Sequence, residues 1–481
     1  MAITNTENVL KILYAYNKWW DTNIVPDELL KEYRRPVFYE AYKAHSHQDI
    51  RRIVILSGAR RTGKTTVMYQ TIANLLKAGV NAKNILFVSF DHPLLKMCSI
   101  EEVLDIYRKY IADEPSVYLF LDEIQYAESW GHYLKILFDI SPKTKIMATG
   151  SASSAIEKKA EESGLGRWRV IPVPTLSFYE FLELTETDIP IIDLKDVDPL
   201  KLHELPLSKQ TDIIMKLDKL QASFFKYIQV GGFPEIALSK DTMYAGRSLR
   251  EDIIDKAIKK DIPSVHDLRN TNDLERVFVY LCYHSANLIN IEAVVKELTG
   301  ISRITIDKYI SYLESANLIY ISKAVNLTGK SALKQQNKIY VADSSIRNNI
   351  LMNSDILTST EELGILIEGI IYRHIKYYFL NDFINVGYYR TDSKGKEIDI
   401  VAHKNNKPYF FAEVKYRESA EIKETEAIVV NSSEGLTNYV VTKRGVDFGL
   451  NTYKNGERIY RIPAHALLYL LGFAESKKIK E

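Results

Sequence analysis

The sequence predicts an α/β protein whose N-terminal part is a parallel β-sheet with helices on both faces. Short apolar segments alternate with helical patterns up to about Phe181, in the order that βαβ units give. These segments are RIVILS, ILFVSF, VYLFLD, KIMATG and RVIPVP. Continuous apolar runs of this length are typical of strands buried on both faces of a parallel sheet. A glycine-bearing loop joins the first strand directly to a helix, which also favours this fold.

The composition indicates a multidomain protein without a global charge bias. The chain has 481 residues, more than one ordinary core holds. Lys and Arg number 63 and Asp and Glu number 62, so any nucleic-acid surface has to be a local patch. Cys98 and Cys282 give neither a disulfide framework nor a cysteine-based zinc site. With no secretory signal and no apolar run of membrane-spanning length, we expect a cytoplasmic protein without membrane contact.

The loop after the first strand fits the phosphate-binding pattern G-x-x-x-x-G-K-[ST] without exception. Glycines let the backbone wrap closely around phosphate oxygens, and the N-terminus of the following helix adds partial positive charge. Lys64 supplies a full charge, and the Thr65 hydroxyl is the expected Mg²⁺ ligand. The pattern therefore predicts ATP and Mg²⁺ as cofactors. The expected nucleotide-binding residues are Gly58, Ala59, Arg60, Arg61, Thr62, Gly63, Lys64, Thr65 and Thr66.

A pair of acids follows the apolar strand VYLFLD, at its C-terminal end, where ligands bind in open α/β sheets. Asp122 would hold the Mg²⁺, directly or through water, and Glu123 would act as general base on the attacking water. The alternative is a strand that ends in a solvated acidic pair. Because the acid pair and the phosphate loop are two separate parts of one site, together they predict an ATPase.

Two further polar residues are candidates for the catalytic site. The segment KIMATGSASS ends its strand at Thr149, Gly150 and Ser151, where a polar side chain would sense the γ-phosphate or orient the water. Capping of the next helix is the competing interpretation of these residues. Arg167 follows Gly166 and is a candidate arginine finger for its own or a neighbouring subunit, with a surface arginine as the alternative.

With these motifs in place, the chain resembles a family of prokaryotic AAA-type P-loop ATPases. The matching segments are SGARRTGKTT, FLDEIQYAESW, MATGSASS, GRWRVIPVPTLSFYEFL, VGGFPE and KEIDIVAH with AEVKY. The resemblance implies a P-loop core with a catalytic glutamate, followed by a winged helix and a small α/β domain like PD-(D/E)xK nucleases. The expected domains are the ATPase at 1–215, a helical region at 216–285, a winged helix-turn-helix at 286–350 and the nuclease-like domain at 355–481.

The third expected domain reads as two helices and then two strands, the order of a winged helix-turn-helix. One helix begins after Asn290, and Ser302 is placed to cap the second. LIYIS and KIYVA read as strands around a loop that carries Lys330 and Lys334. The second helix would present Arg303, Thr305, Lys308 and Tyr312 to DNA. A structural or protein-docking module is the alternative.

The last part of the chain reads as three strands joined by two turns, after a helical segment that carries Glu368. Alternation puts Glu397, Asp399 and Val401 on one face of a strand, and Glu413 with Lys415 on one face of the next. This resembles the PD-(D/E)xK pattern. The resemblance implies a divalent cation at Asp399 and Glu413 with Glu368 as a further ligand, and Lys415 beside the attacking water. The alternative is an inactive fold with an ion-paired Glu413–Lys415 face.

His45 and His47 are the only close pair of histidines, and we expect both at the surface. For the whole protein we expect Mg²⁺-dependent ATP hydrolysis coupled to DNA binding, with DNA cleavage as an activity of the C-terminal domain. The alternative is a signalling or regulatory NTPase whose C-terminal half is an inactive platform for a protein partner. A homo-oligomer is compatible with both, because a neighbour's arginine often completes a site of this kind.

Overall fold

The N-terminal part is a five-stranded parallel sheet, as the sequence predicts, and its strand order is β2-β3-β4-β1-β5. The computed structural model describes residues 6–47, 49–150, 166–266, 268, 270–325, 336–353, 356–390, 396–405, 407–430 and 437–480. All five residues of β1 are buried, so both faces of this strand are covered. The strands are β1 Ile53–Ser57, β2 Ile85–Ser89, β3 Tyr118–Asp122, β4 Lys145–Gly150 and β5 Trp168–Pro172.

Helices cover this sheet and bury a core that is separate from the core of the C-terminal half. Ser99 and Ser177 each begin a helix with a capping box, since a glutamate three residues later bonds back to the serine N–H. The helices are α1 Thr6–Tyr16, α2 Trp19–Thr22, α3 Pro36–Ser46, α4 Lys64–Lys77, α5 Ile100–Tyr110, α6 Trp130–Ile140 and α7 Phe178–Leu184.

His45 is buried, so the expectation of a surface histidine is wrong. It lies on the face of α3 that also buries Phe38 and Ala41, and its ring packs against Tyr118 and Phe120. Burial lowers the pKa of His45 to about 3, because a charged imidazolium is disfavoured there. Helical spacing from Phe38 indicates this inward position, whereas the polar neighbours in the sequence suggest the opposite.

A helical region and a small sheet follow. Helix α9 ends at Val230 and α10 begins at Pro234, so the helical region is interrupted within the segment VGGFPE. The helices are α8 Leu207–Asp218, α9 Gln221–Val230, α10 Pro234–Ala237, α11 Thr242–Glu251, a π-helix at Asp252–Asp261, α12 Ile262–His266 and α13 Thr271–Tyr283. Next come β6 Asn287–Leu288, α14 Ile291–Glu297, α15 Arg303–Ser315, β7 Ile319–Ser322 and β8 Lys338–Val341. The three strands form an antiparallel sheet in the order β6-β8-β7.

The C-terminal part is a six-stranded mixed sheet in the order β13-β14-β12-β11-β10-β9. The three strands predicted there are β9 to β11, and they pair antiparallel. The bounds are α16 Ser344–Ile350, α17 Thr360–Tyr378, β9 Asn385–Arg390, β10 Glu397–Lys404, β11 Lys407–Lys415, α18 Ala427–Val430, β12 Asn438–Thr442, β13 Gly449–Thr452, β14 Arg458–Pro463 and α19 Ala464–Lys480.

Strict alternation fails within β10. The pairing with β9 shifts register between Ile398 and Val401. Val401 therefore packs in the same core cluster as Ile398, and Ile400 belongs to another cluster. The expectation that Val401 shares a face with Glu397 and Asp399 is wrong, because a shift of one position moves a side chain to the other face.

Cys98 and Cys282 are both buried, and neither forms a disulfide in the part of the chain that the structure describes. In the described part of the chain no helix combines the length and apolarity needed to cross a membrane.

Gly231 and Gly232 join three parts of the chain. Gly231 has a φ of 72°, and Gly232 N–H donates to Asp343 Oδ2 at 2.9 Å, just before α16. The Gly232 carbonyl accepts from the N–H of Leu176 at 2.7 Å, just before α7. A Cβ at Gly231 would lie 2.0 Å from Asp343 Oδ1. Glycine is therefore required here both by conformation and by space.

We expect Gly231→Ala to lower the free energy of unfolding by at least about 2 kcal/mol, because it combines a left-handed φ with a steric clash. Urea unfolding followed by circular dichroism measures this. The control is Gly364→Ala in α17, where nothing lies within 4 Å of the added methyl group. Alanine in that helix should be neutral or stabilising by up to about 1 kcal/mol. Equal stabilities for the two variants would contradict the assigned role of Gly231.

Candidate active site

The phosphate loop runs from the end of β1 to the start of α4, and its two glycines serve different purposes. Gly63 has a φ of 94° and immediately precedes the first residue of α4. Gly58 lies so close to the next strand segment that a Cβ would be 2.3 Å from the carbonyl oxygen of Val173. The loop therefore depends on both backbone freedom and the absence of a side chain.

Lys64 lies inside the loop. Its side chain is buried, and Nζ donates to the carbonyl oxygens of Gly58 and Ala59, both at 2.8 Å. Burial lowers the pKa of Lys64, while the nearby Glu123 and Asp122 oppose that shift. The ammonium is thus held within the ring of backbone groups that the sequence predicts to surround phosphates.

Thr149 connects the two acids of the site. Its Oγ1 donates to Asp122 Oδ1 at 2.7 Å and accepts from the N–H of Glu123 at 3.0 Å. Thr149 is fully buried on β4, and the adjacent pairing of β3 with β4 brings it beside Asp122. Its observed contacts are therefore with the acids. The helix-capping alternative concerns residues after Gly150 that lie outside the described ranges, Ser151 among them.

Asp122 and Thr65 place two hard oxygen atoms next to each other. Thr65 Oγ1 donates to Asp122 Oδ1 at 3.1 Å. A hydroxyl and a carboxylate fit Mg²⁺, which prefers oxygen ligands. Burial raises the pKa of Asp122 to about 6, with a further contribution from Glu123. Glu123 has a φ of 50°, and its carboxylate accepts a hydrogen bond from Gln125 Nε2.

A cavity of about 840 Å³ adjoins the phosphate loop. Its walls come from the loop and start of α4, from Glu123, from residues 31–35 and from the helical region between Pro234 and Ser248. This volume suits a nucleotide-sized ligand. The expected ATP site is therefore a cleft between the parallel sheet and the helical region.

Arg60 and Arg61 both bind carboxylates of the helical region. Arg60 Nη2 donates to Asp261 Oδ1 at 2.8 Å, and burial of Arg60 is outweighed by this acid, so its pKa is raised. Arg61 forms ion pairs with Glu235 and with Asp252. The side chains of Arg60 and Arg61 are thus tied to the helical region.

Arg35 holds the loop from the other side. Its Nη1 donates to the carbonyl oxygen of Thr62 at 2.7 Å, and its Nε donates to Glu180 at 2.8 Å. Burial would raise the pKa of Glu180, but Arg35 outweighs it and the pKa is lowered. Sequence reasoning missed Arg35, Asp252 and Asp261, because these partners are far apart in the chain and carry no local motif. Glu180 and Glu235 lie within GRWRVIPVPTLSFYEFL and VGGFPE, which the resemblance does single out, but their roles were not predicted.

Arg167 does not reach the phosphate loop of its own chain. It precedes β5, beside Ile53 at the start of β1, whereas the loop follows the end of β1. Its guanidinium pairs with Asp139 at 2.9 Å. The interpretation as an arginine finger for its own subunit is therefore wrong. Parallel pairing of β5 with β1 puts Arg167 at the N-terminal ends of these strands, and the phosphate loop is at the C-terminal end of β1. A role toward a neighbouring subunit stays a prediction.

The acids expected to hold a second metal do not form a metal site. Among the described residues no group of three or more His, Cys, Asp or Glu side chains is placed to hold a metal ion. Lys338 Nζ lies 2.5 Å from Glu368 and 3.3 Å from Asp399. Glu413 pairs with Lys415 at 2.9 Å. The described side chains therefore do not form the metal centre expected at Glu368, Asp399 and Glu413, because Lys338 contacts the first two acids and Lys415 contacts the third.

The face of α15 that was expected to contact DNA is only partly available. Arg303 and Lys308 are exposed, and Arg303 lies 3.5 Å from Glu292. Thr305 is partly buried beside Ser302. Tyr312 stacks on His266 with ring centroids 3.8 Å apart, so its ring is not free for a base. Lys330 and Lys334 lie outside the described residues.

A family model described as an AAA domain matches residues 50–182, which contain the phosphate loop, the acid pair and all five strands of the parallel sheet. This segment is an AAA-type P-loop ATPase domain. Two models described as domains of unknown function, DUF8612 and DUF4143, match residues 221–356 and 363–467. They cover the helical region with the small sheet and the C-terminal sheet beyond the ATPase domain.

Relatives with a similar span occur in bacteria and archaea. An uncharacterized protein of Haemophilus influenzae is 27% identical over 363 residues, which cover 73% of this chain and 80% of that protein. An uncharacterized protein of Methanocaldococcus jannaschii is 25% identical over 360 residues, covering 74% of this chain and 73% of that protein. The alignments therefore extend well beyond the ATPase domain.

Solved structures resemble the chain only distantly. The Walker-type ATPase of Pyrococcus abyssi has a TM-score of 0.36 at 14% identity and covers 66% of this chain and 95% of that chain. The Aeropyrum pernix ORC1 protein in complex with DNA has a TM-score of 0.32 at 10% identity, covering 71% and 98%. The function is therefore inferred from the geometry of this chain's own ATPase domain and not from these structures.

We expect Asp122→Asn to change the pH dependence of stability. The pKa of Asp122 is raised from its ordinary value of 3.8 to about 6 in the folded chain. The protonated carboxyl therefore contributes to the free energy of unfolding below pH 3.8, and this contribution is lost as the pH rises through about 6. In the absence of nucleotide and divalent ions, the variant should therefore gain about 1 to 2 kcal/mol over the wild type between pH 5 and pH 8. Urea unfolding at each pH measures this. Asp105→Asn, at an exposed position of α5, is the control, and parallel profiles for Asp122→Asn and wild type would contradict the prediction.

Proposed function

We propose that the chain binds Mg²⁺-ATP in the cleft beside the phosphate loop and hydrolyses ATP. The observation that carries this proposal is the set of hydrogen bonds by which Thr149 and Thr65 hold Asp122, with Glu123 fixed to Thr149 through its N–H. These contacts bring together a phosphate loop, a metal-binding pair of oxygens and a candidate base. When bound, Mg²⁺ would neutralise charge on the phosphate oxygens.

The residues of the chain divide the work of hydrolysis. Backbone N–H groups of the loop and the N-terminus of α4 bind phosphate, and Lys64 adds a positive charge. Thr65 and Asp122 are the metal ligands. Glu123 accepts the proton of the attacking water. Gln125 and Thr149 orient Glu123, because Gln125 binds its carboxylate and Thr149 accepts a hydrogen bond from its N–H. The catalytic roles of Glu123 and Lys64 and the positioning role of Thr149 follow from this division.

We propose that Arg60 and Arg61 transmit the nucleotide state to the rest of the chain. Their partners Asp261, Asp252 and Glu235 are on the helical region, which also forms a wall of the cleft. Glu235 is four residues from Gly231, whose neighbour Gly232 binds Asp343 at the start of α16. A movement of the loop therefore has a continuous physical path to the small sheet and the C-terminal half.

DNA is the proposed partner of the small sheet and its helices. The order β6, α14, α15, β7 and β8 supports a winged helix-turn-helix, and α15 exposes Arg303 and Lys308. We do not propose DNA cleavage, because the buried Lys338 ammonium occupies the space beside Glu368 and Asp399, two of the three acids expected to hold the metal. The alternative remains a regulatory NTPase whose C-terminal half binds a protein. Measurements of DNA binding and of ATP turnover with DNA distinguish the two functions.

We expect Glu123→Gln to release phosphate from ATP at least about 100-fold more slowly than the wild type, because it lacks the general base. Its affinity for a fluorescent ATP analogue should stay within about 3-fold, since the phosphate loop is unchanged. Lys64→Ala should lose affinity as well as turnover. The control is Glu128→Gln, at an exposed position five residues further along. Turnover by Glu123→Gln above a tenth of wild type would overturn the assignment of the base.

We expect duplex DNA to bind the wild type and to stimulate its ATP turnover. Lys308→Ala should weaken binding similarly for all sequences and reduce the salt slope of the affinity by about 1, because one phosphate contact is lost. Lys407→Ala, an exposed lysine at the start of β11, is the matched control. Fluorescence anisotropy at several salt concentrations measures both. Turnover that is blind to duplex, branched and single-stranded DNA, with no salt-sensitive binding, would favour the protein-docking alternative.

A further inference from the structure

The C-terminal carboxylates meet a buried lysine that belongs to a different sheet. Lys338 begins β8 of the small three-stranded sheet, and its side chain is 3% exposed. Glu397 and Asp399 are on β10 of the C-terminal sheet, and Glu368 is on α17. The lysine therefore reaches from one sheet into the acidic centre of the next.

The ammonium of Lys338 is fully satisfied by this centre. Nζ lies 2.5 Å from Glu368 Oε1, 2.7 Å from Glu397 Oε1 and 3.3 Å from Asp399 Oδ1. A lysine has three N–H donors, so each carboxylate has one donor available to it. Burial would lower the pKa of Lys338, but the surrounding negative groups outweigh it and the pKa is raised.

Other protein groups contact some of these carboxylates as well, although Glu413 Oε2 is buried without a hydrogen-bond partner among the described residues. Asp399 Oδ2 accepts from the N–H of Val414 at 2.9 Å. Tyr340, two residues after Lys338, donates from its hydroxyl to Glu368 Oε1 at 2.8 Å. Glu413 Oε1 is bound by Lys415, which also lies 3.0 Å from Glu426. A divalent cation would need several of these oxygens as ligands, and they are already engaged.

Backbone hydrogen bonds fix the two sheets to each other beside this lysine. Tyr388 of β9 donates its N–H to the carbonyl of Lys323 at 3.1 Å, and its own carbonyl accepts from Val325 at 2.7 Å. The Tyr388 hydroxyl donates to the carbonyl of Gln336, two residues before Lys338. The position of Lys338 is therefore set by the backbone on both sides, and the ammonium cannot leave without opening the junction.

We infer that Lys338 is an internal cation that takes the place of a divalent metal between Glu368, Glu397 and Asp399. The centre is thus a junction between the small sheet and the C-terminal sheet that is held by a buried ammonium, and it has no metal-dependent nuclease activity. This inference does not depend on ATP hydrolysis at the phosphate loop. Three carboxylates brought together without Lys338 would repel one another and attract a cation.

The test compares wild type, Lys338→Met and the control Lys404→Met, an exposed lysine at the end of β10. Methionine keeps the length of the side chain and removes the charge. Without divalent ions, Lys338→Met should melt at least about 5 °C below the control, since three acids lose their buried cation. One millimolar Mn²⁺ should then raise the melting temperature of Lys338→Met by at least about 3 °C relative to wild type.

Titration of Mn²⁺, followed by electron paramagnetic resonance of the free ion, gives a second readout. Lys338→Met should bind one more Mn²⁺ per chain than wild type, and the further change Asp399→Asn should remove that ion. Any Mn²⁺ held at Asp122 is counted equally in all variants, so it does not affect the difference in bound ions between them. An equal number of Mn²⁺ ions in folded Lys338→Met and wild type would overturn the inference.

The wild type keeps the inference testable even if Lys338→Met does not fold. Wild type and Asp399→Asn should bind the same number of Mn²⁺ ions, and neither should nick supercoiled plasmid DNA with Mg²⁺ or Mn²⁺. A bound Mn²⁺ or a nicking activity that wild type has and Asp399→Asn lacks would show a working metal centre, and would therefore refute the proposed role of Lys338.

Discussion

Buried cations with carboxylate partners from distant segments hold the parts of this chain together. Arg35 binds Glu180 and the carbonyl of the phosphate loop, Arg60 binds Asp261 of the helical region, and Lys338 binds the acids of the C-terminal sheet. A buried charge that loses its partner costs about 3 to 5 kcal/mol. The positions of the phosphate loop, the helical region and the two C-terminal sheets therefore depend on one another.

In the ATP site, contacts between neighbouring strands position the acidic side chains. Pairing of β3 with β4 brings Thr149 beside Asp122, and the hydroxyl then holds both the acid and the N–H of Glu123. Burial raises the pKa of Asp122, so this acid is a group that a bound cation stabilises strongly. The phosphate loop also carries Arg60 and Arg61, which bind the helical region. The position of the loop and the position of the helical region are therefore physically linked.

Much of the fold and of the ATP site is predictable from the sequence, because the signals are local. The five strands, the phosphate loop and the acid pair all depend on residues that are close together in the chain. The wrong expectations for Val401 and Arg167 depend on distant pairing. The shift of register in β10 places Val401 in a different cluster from Ile400. Because β5 runs parallel to β1, Arg167 lies at the N-terminal ends of these strands, away from the phosphate loop. No local pattern contains this information.

The sequence by itself determined that the chain has a P-loop ATPase core, with the loop ending at Thr65 and the acids at the end of β3. These features need only a strand, a turn and a helix in succession. Only the tertiary structure decided that Thr149 contacts both acids of the first site and that Lys338 lies among the acids of the C-terminal centre. The sequence presents that centre as a metal site, since it shows the acids but not the cation beside them. Proximity between segments far apart in the chain is fixed by packing and strand register, which become defined only when the whole chain has folded.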